Sequence, residues 1–320
     1  MGKAFLEVCD GNGNEITVLN RGNRNVPGNE DGHIRVIHAD RQDKESLARA
    51  SAQFDPDGYD CVVDFCAYEA GDIRKVLETL AAGSGEAKAD LRKAEQGKRN
   101  FGVRQYVFIS TCDVYRRGTG TLQDENAPLE ERDFGGAEGA YVCGKVALEK
   151  ELKQCAEETE NDAVRMHYTS VRPAFIYGPE NYAPREGIFF EWVSKAGQIL
   201  FPEDADGTFQ MIYVKDLAKS IYACLGNEDF YDCAVNACGE EMDYQRFANA
   251  LEEATGQKIE KVMIPVADVL GRGIPLPFPL SKAESETYVG GKIKKLGVEE
   301  TPFVQGLRET YEWFKKQETE

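Results

Sequence analysis

The sequence predicts the α/β fold class, a parallel sheet covered by helices, and three observations lead there. Short apolar and β-branched runs recur at Glu15–Leu19, Ile34–Ala39, Asp60–Cys66, Tyr106–Ser110 and His167–Arg172. Helical patterns lie among them, over Asp43–Phe54, Asp72–Ala82 and from Tyr141 to about Glu160. Parallel neighbours need a crossover between them, and strands covered on both faces read as continuous apolar runs. Beyond Gly178 the composition shifts to aromatic helices and short strands, which predicts a smaller α+β lobe.

In order, Gly2–Cys9 reads as a short helix closed by the turn Asp10-Gly-Asn-Gly13. The strand Glu15–Leu19 leads into Asn20-Arg21-Gly22, and an Asn/Gly-rich loop containing Arg24 runs to Gly32. Ile34–Ala39 ends in Asp40-Arg41. Asp60–Cys66 reads as a fully buried strand, with Ala67 at its carboxyl end. The polar, lysine-rich stretch Gly83–Asn100 reads as an exposed insertion or helix extension. In the second lobe, helices are expected over Phe189–Gly197, Asp243–Thr255 and the C-terminus, and a strand over Gln198–Pro202. Gly207–Ala218 reads as a strand feeding a helix capped by Asp216, and Ala234–Ala237 as another strand. The proline-rich run Ile274–Pro279 reads as a loop.

The chain is organised around Arg104–Leu152. The buried strand Tyr106–Ser110 stops at Thr111, and the following helix carries Tyr141 and Lys145. Residues i and i+4 share a helix face, so the Lys145 ammonium can sit beside the Tyr141 ring. A cation there favours the phenolate, which lets a tyrosine exchange a proton nearer neutral pH. Thr111 can donate a hydrogen bond to the same substrate oxygen. Tyr-x-x-x-Lys occurs twice more, at Tyr288/Lys292 and Tyr311/Lys315. Neither follows a strand ending in Ser-Thr, so both are expected on solvated faces.

Ile109-Ser-Thr-Cys-Asp-Val-Tyr115, Tyr141-Val-Cys-Gly-Lys145 and Val171-Arg-Pro-Ala-Phe-Ile-Tyr-Gly-Pro179 resemble successive signatures of extended short-chain dehydrogenases, the NAD(P)-dependent epimerase/dehydratase family. The resemblance covers nearly the whole chain in order. It implies a doubly wound Rossmann-type parallel sheet with residues 1–176 as dinucleotide-binding domain. Residues 177–320 would form the substrate-binding lobe, with 208–238 returning to the sheet. It implies Thr111, Tyr141 and Lys145 as catalytic residues and a sugar or nucleotide-sugar hydroxyl or carbonyl as substrate. Cofactor contacts would come from Gly2, Arg21, Asp40, Arg41, Ala67, Lys145 and Pro173, with NAD or NADP bound. Arg21, with Arg24 nearby, leans to NADP, since an arginine suits a 2′-phosphate where an acidic residue suits ribose hydroxyls.

Two departures stand out. The family's first strand and its glycine turn, which lets backbone approach a pyrophosphate, have no counterpart here. Gly2 aligns with the motif's last glycine, so the sheet is expected to lack its first strand. Met1 is then expected to be an internal methionine of a longer product, the competing reading being a lost cofactor site. Where sugar-nucleotide epimerases often place a diphosphate-gripping arginine, this chain has Phe209 and Gln210. A similar glutamine occurs in an atypical branch resembling chloroplast stem-loop RNA-binding proteins, as does the Leu19-Asn-Arg-Gly22 start. That leaves a non-catalytic or RNA-binding relative as the alternative.

Composition narrows the classes further. The formal net charge of -18 over 320 residues disfavours nucleic acid as the main ligand. Nine cysteines and three histidines show no metal-type spacing, so no metal site is expected, and Cys112 and Cys143 read as structural thiols. No membrane span or signal peptide is read. The expected setting is cytoplasmic, an organelle staying open because a targeting peptide would lie upstream of Met1. A small-molecule substrate is expected as partner, and a homodimer is left open.

Overall fold

The computed structural model describes residues 1–10, 12–23, 25–27, 34–83, 100–118, 122–159, 165–181, 183, 185–285 and 287–319. Arg24, Gly11, Gly32 and nearly all of the lysine-rich stretch (84–99) lie outside the described residues. In chain order the elements are α1 (Gly2–Cys9), β1 (Ile16–Asn20), β2 (Ile34–His38), α2 (Lys44–Ser51), β3 (Tyr59–Asp64) and α3 (Asp72–Gly83). Then come β4 (Val103–Ile109), α4 (Gly136–Glu157), β5 (His167–Pro173), β6 (Phe175–Tyr177), α5 (Glu186–Ala196) and β7 (Gln198–Pro202). The chain continues with β8 (Phe209–Tyr213), α6 (Val214–Cys224), β9 (Cys233–Ala237), β10 (Glu241–Met242) and α7 (Tyr244–Thr255). It ends with β11 (Glu260–Ile264), α8 (Val266–Arg272), α9 (Gly291–Lys294) and α10 (Phe303–Thr319). No helix among the described residues is long and apolar enough to cross a membrane.

The chain divides into two compact units. The first comprises Met1–Val114, Leu129–Arg172 and Ala218–Val235. Its sheet has the order β3-β4-β5-β9, with β3, β4 and β5 parallel and Val63 opposite Val107, Ile109 opposite Val171. A separate parallel pair, β1-β2, sets Ile16 opposite Ile34. Both sheets cover one core: Ile37 and Leu47 meet Leu77, Tyr106, Phe108, Leu148 and Leu152, and Leu19 and Val62 pack against it. This is the expected α/β architecture, with the parallel strands interrupted between β1 and β3.

That interruption corrects one expectation. The strand read as fully buried is half-buried: Cys61, Val62 and Val63 are partly exposed, whereas β4 buries every residue from Gln105 to Ile109. Among the described residues β3 is hydrogen-bonded to β4 alone, so one edge and part of each face stay open. A second correction concerns α4, which begins at Gly136 and not at Tyr141. Gly135 and Gly136 take positive φ, and Asp133 accepts the Gly135 N–H at 2.8 Å, so the helix start hides in a glycine pair that reads as loop. Asp43 caps α2 by accepting from Glu45 N at 3.0 Å.

The second unit comprises Tyr115–Pro128, Pro173–Leu217 and Asn236–Glu320. Within it β8 pairs with β6 in parallel and β10 antiparallel, and β7 pairs with β11 in parallel. Phe278, from the proline-rich loop, stacks on Phe209 with ring centroids 4.0 Å apart and on Phe189 at 5.9 Å. Asp243 caps α7, accepting from Arg246 N at 2.7 Å. Asp216 lies inside the first turn of α6 and accepts from the Thr301 N–H and hydroxyl at 2.6 and 2.8 Å. The two other tyrosine–lysine pairs are not on solvated faces as expected, for Tyr288 and Tyr311 are both buried. Tyr311 packs against Phe190 at 5.2 Å and accepts from Gln257 Nε2 at 2.8 Å, because the apolar stripe of α10 passes through it.

Candidate active site

The apolar run of β4 ends where its backbone leaves the sheet, and Thr111 is the second residue beyond it. Its buried Oγ1 accepts from Asp113 N at 3.2 Å, holding the short 3-10 turn Cys112–Val114. The Cys112 thiol donates to the Arg172 carbonyl at 3.0 Å. Next to it, Ser110 Oγ is buried with no hydrogen-bond partner among the described residues.

Tyr141 and Lys145 stand one turn apart on α4. The half-buried Tyr141 ring lies 5.9 Å from Lys145 Nζ, as the spacing predicts. Lys145 is 2 % exposed and donates to the Ala67 carbonyl at 3.0 Å and the Ile109 carbonyl at 2.8 Å. The lysine therefore fastens α4 across the carboxyl ends of β3 and β4. Burial pushes its ammonium down to about 8, with Asp64 and Cys66 opposing that fall. Gly144 permits the approach, because a Cβ there would lie 2.3 Å from the Tyr68 carbonyl oxygen.

A second polar group crosses the same strand ends. Arg41 donates from one nitrogen to both Asp64 oxygens at 2.9 and 2.8 Å, and Tyr106 donates to Asp64 at 2.6 Å. Arg41 Nη1 is buried, without a hydrogen-bond partner among the described residues, and 4.0 Å from Asp72. Burial alone would raise the Asp72 carboxyl, yet N–H donation from Tyr68 and Glu69, with Lys75 and Gln42, holds it below the usual range. Burial pushes the Cys66 thiol up, and Asp64 adds to that, while Arg41, Lys145 and Arg21 act the other way. Positive charge from three separate elements thus partly offsets the rise of that thiol.

The remaining expected cofactor residues are scattered. Ala67 is fully buried, its carbonyl taken by Lys145. Asp40 accepts from Gln42 N at 2.9 Å in its own turn, and Arg21 is exposed just beyond β1. Gly2 opens α1, with nothing within 4 Å of the place a Cβ would take. Pro173 closes β5 and belongs to the second unit. Asp64, Tyr68 and Ser110 were not singled out from sequence; an aspartate inside a valine-rich strand was the one available signal. Among the described residues, no group of three His, Cys, Asp or Glu side chains could hold a metal ion.

The model of the NAD dependent epimerase/dehydratase family matches residues 1–237. A chloroplast stem-loop binding protein of 41 kDa from Arabidopsis thaliana is 26% identical over 254 residues, which is 76% of this chain and 57% of the relative, so the chain spans little over half of that protein. Among solved structures, UDP-glucose 4-epimerase of Thermotoga maritima with UDP-glucose aligns at TM-score 0.68 and 20% identity, covering 99% of this chain and 96% of the other. The UDP-glucose 4-epimerase of Thermus thermophilus in complex with NAD aligns at TM-score 0.66 and 22% identity, covering 98% and 95%. At these identities the structures speak for the fold, and the family model for membership: the chain belongs to the NAD dependent epimerase/dehydratase family.

Proposed function

We propose that the chain is an NAD(P)-dependent oxidoreductase or epimerase acting on a hydroxyl or carbonyl of a sugar or nucleotide sugar. In this reading residues 1–176 bind the dinucleotide and 177–320 bind the substrate, with β9, rather than the whole of 208–238, returning to the first unit's sheet. One observation carries it: the Tyr141–Lys145 pair is fastened to the end of the strand that delivers Thr111.

The first unit offers groups that suit an anionic dinucleotide. Arg41 and Lys145 bring positive charge to the strand ends, with Arg21 exposed beyond β1, and among the described residues Arg41 Nη1 and Ser110 Oγ are buried polar atoms without a hydrogen-bond partner. Arg21, Arg41, Lys145 and Ala67 would hold the group, with Gly2, Asp40 and Pro173 as further contacts. Exposed Arg21 favours NADP over NAD. When bound, the nicotinamide supplies hydride transfer to or from a substrate carbon. Tyr141 exchanges the proton at the substrate oxygen, Lys145 favours its phenolate, and Thr111 donates a hydrogen bond to that oxygen. Positions 209 and 210 contribute no diphosphate grip: Phe209 is stacked on Phe278, and Gln210 spends its amide on Gly239, Tyr288 and the Tyr288 N–H.

A second reading, RNA binding without catalysis, draws support from the likeness to the Arabidopsis stem-loop binding protein. Titrating NADH, NADPH and a stem-loop RNA separately at fixed salt discriminates the two. Nicotinamide binding with turnover abolished in Tyr141→Phe supports the enzyme. Tight RNA binding with no nicotinamide binding supports the alternative.

A further inference from the structure

Tyr68 follows Ala67 in the turn beyond β3, and the residue is 48% exposed. Single exposed aromatic residues are common on protein surfaces, so what gives this one a role is its geometry. Its backbone is fixed on both sides. The Tyr68 N–H donates to Asp72 Oδ2 at 3.1 Å, and its carbonyl oxygen lies against Gly144 of α4. From that rigid turn the ring stands 4.7 Å from Lys145 Nζ, matching the buried ring of Phe108 at 4.7 Å. It also meets the Tyr141 ring at 6.4 Å. The ammonium is therefore held by two carbonyls and faced by aromatic rings, which attract a cation and return part of what burial takes away. The charged or titratable groups acting on it are Asp64 and Cys66 at the end of β3, Arg41 beyond β2, and Glu149 on α4.

We propose that Tyr68 is a positioning residue whose ring keeps the Lys145 ammonium charged and in place beside Tyr141, and so sets the pH range over which that pair works. Its use in turnover rests on the enzymatic reading above; its test does not. In protein carrying 13C-labelled lysine, the Lys145 Cε signal, identified by its loss in Lys145→Arg, is followed against pH by NMR. Tyr68→Leu and Tyr68→Gln, which remove the ring, are expected to lower the Lys145 midpoint by about 0.4 to 1.5 pH units. Tyr68→Phe, which restores the ring without the hydroxyl, is expected to leave the midpoint in place. An unmoved midpoint in the ringless variants, or a Phe variant that moves as far as they do, overturns the assignment. A shifted midpoint in a protein with no nicotinamide turnover would remove the enzymatic reading and leave this one standing. An unmoved midpoint in an active enzyme would do the reverse.

Discussion

Lys145 Nζ donates to the Ile109 carbonyl oxygen over 2.8 Å, so the helix bearing the candidate acid/base tyrosine is fastened to the strand that precedes Thr111. The same bond buries a charge, and that has a measurable consequence. The ammonium falls from 10.5 to about 8 on folding, chiefly through desolvation. Between those values the unfolded chain binds more protons than the folded one, so stability rises with pH through that window. Below pH 8 both states carry the charge and the full cost, on the order of 3 kcal/mol, is present. Lys145→Met lacks this dependence. The stability difference between Met variant and parent, from urea unfolding at each pH, is expected to fall between about pH 8 and 10.5.

Gly144 is the nearest neighbour of that lysine in sequence, and its missing side chain matters. Alanine is normally the better helix former by about 1 kcal/mol. Here its Cβ would lie 2.3 Å from a backbone oxygen, which has no flexible end to move. Gly144→Ala is expected to lower stability by about 1–3 kcal/mol despite the propensity gain. Unfolding in urea gives the sign directly; a stabilised variant would show that the turn at Tyr68 yields.

Arg172 and Glu149 form a buried pair, with Nε donating to Oε1 at 2.9 Å and the residues 4% and 8% exposed. Glu149→Gln leaves a buried guanidinium without its carboxylate and is expected to cost about 3–5 kcal/mol. The double variant Glu149→Leu with Arg172→Leu is expected to recover much of that loss. A denaturant-based double-mutant cycle measures the coupling.

Arg21 provides a test of cofactor preference. It is exposed beyond β1, so Arg21→Ala is expected to leave the fold unchanged. If it meets a 2′-phosphate, affinity for NADPH falls by roughly tenfold, the loss of one exposed charge-assisted contact, while NADH is little affected. Calorimetric titration of both dinucleotides reads this out, and equal losses would remove the preference for NADP.

Element types and their order were legible in the chain because each rests on local chemistry. Gly2–Cys9, the strands at Ile16 and Ile34 and the helices that follow Asp43 and Asp243 depend on residues within a few positions of one another. The start of α4 was missed because a Gly-Gly pair is turn chemistry by itself and enters a helix only under tertiary support. Tyr288 and Tyr311 were misjudged for a related reason: a tyrosine beside glycines or charges reads as solvated until its neighbours in space are known.

The sequence by itself determined the alternation of strand and helix, the placing of Tyr141 and Lys145 one turn apart on one helix and the family resemblance. All follow from residue type, order and a spacing of four along a helix. Tertiary structure alone decided that Lys145 is held by two carbonyls and faced by Tyr68 and Phe108, and that Arg41 closes on Asp64. Those contacts join residues far apart in the chain, and periodicity carries no record of which strand end meets which helix turn.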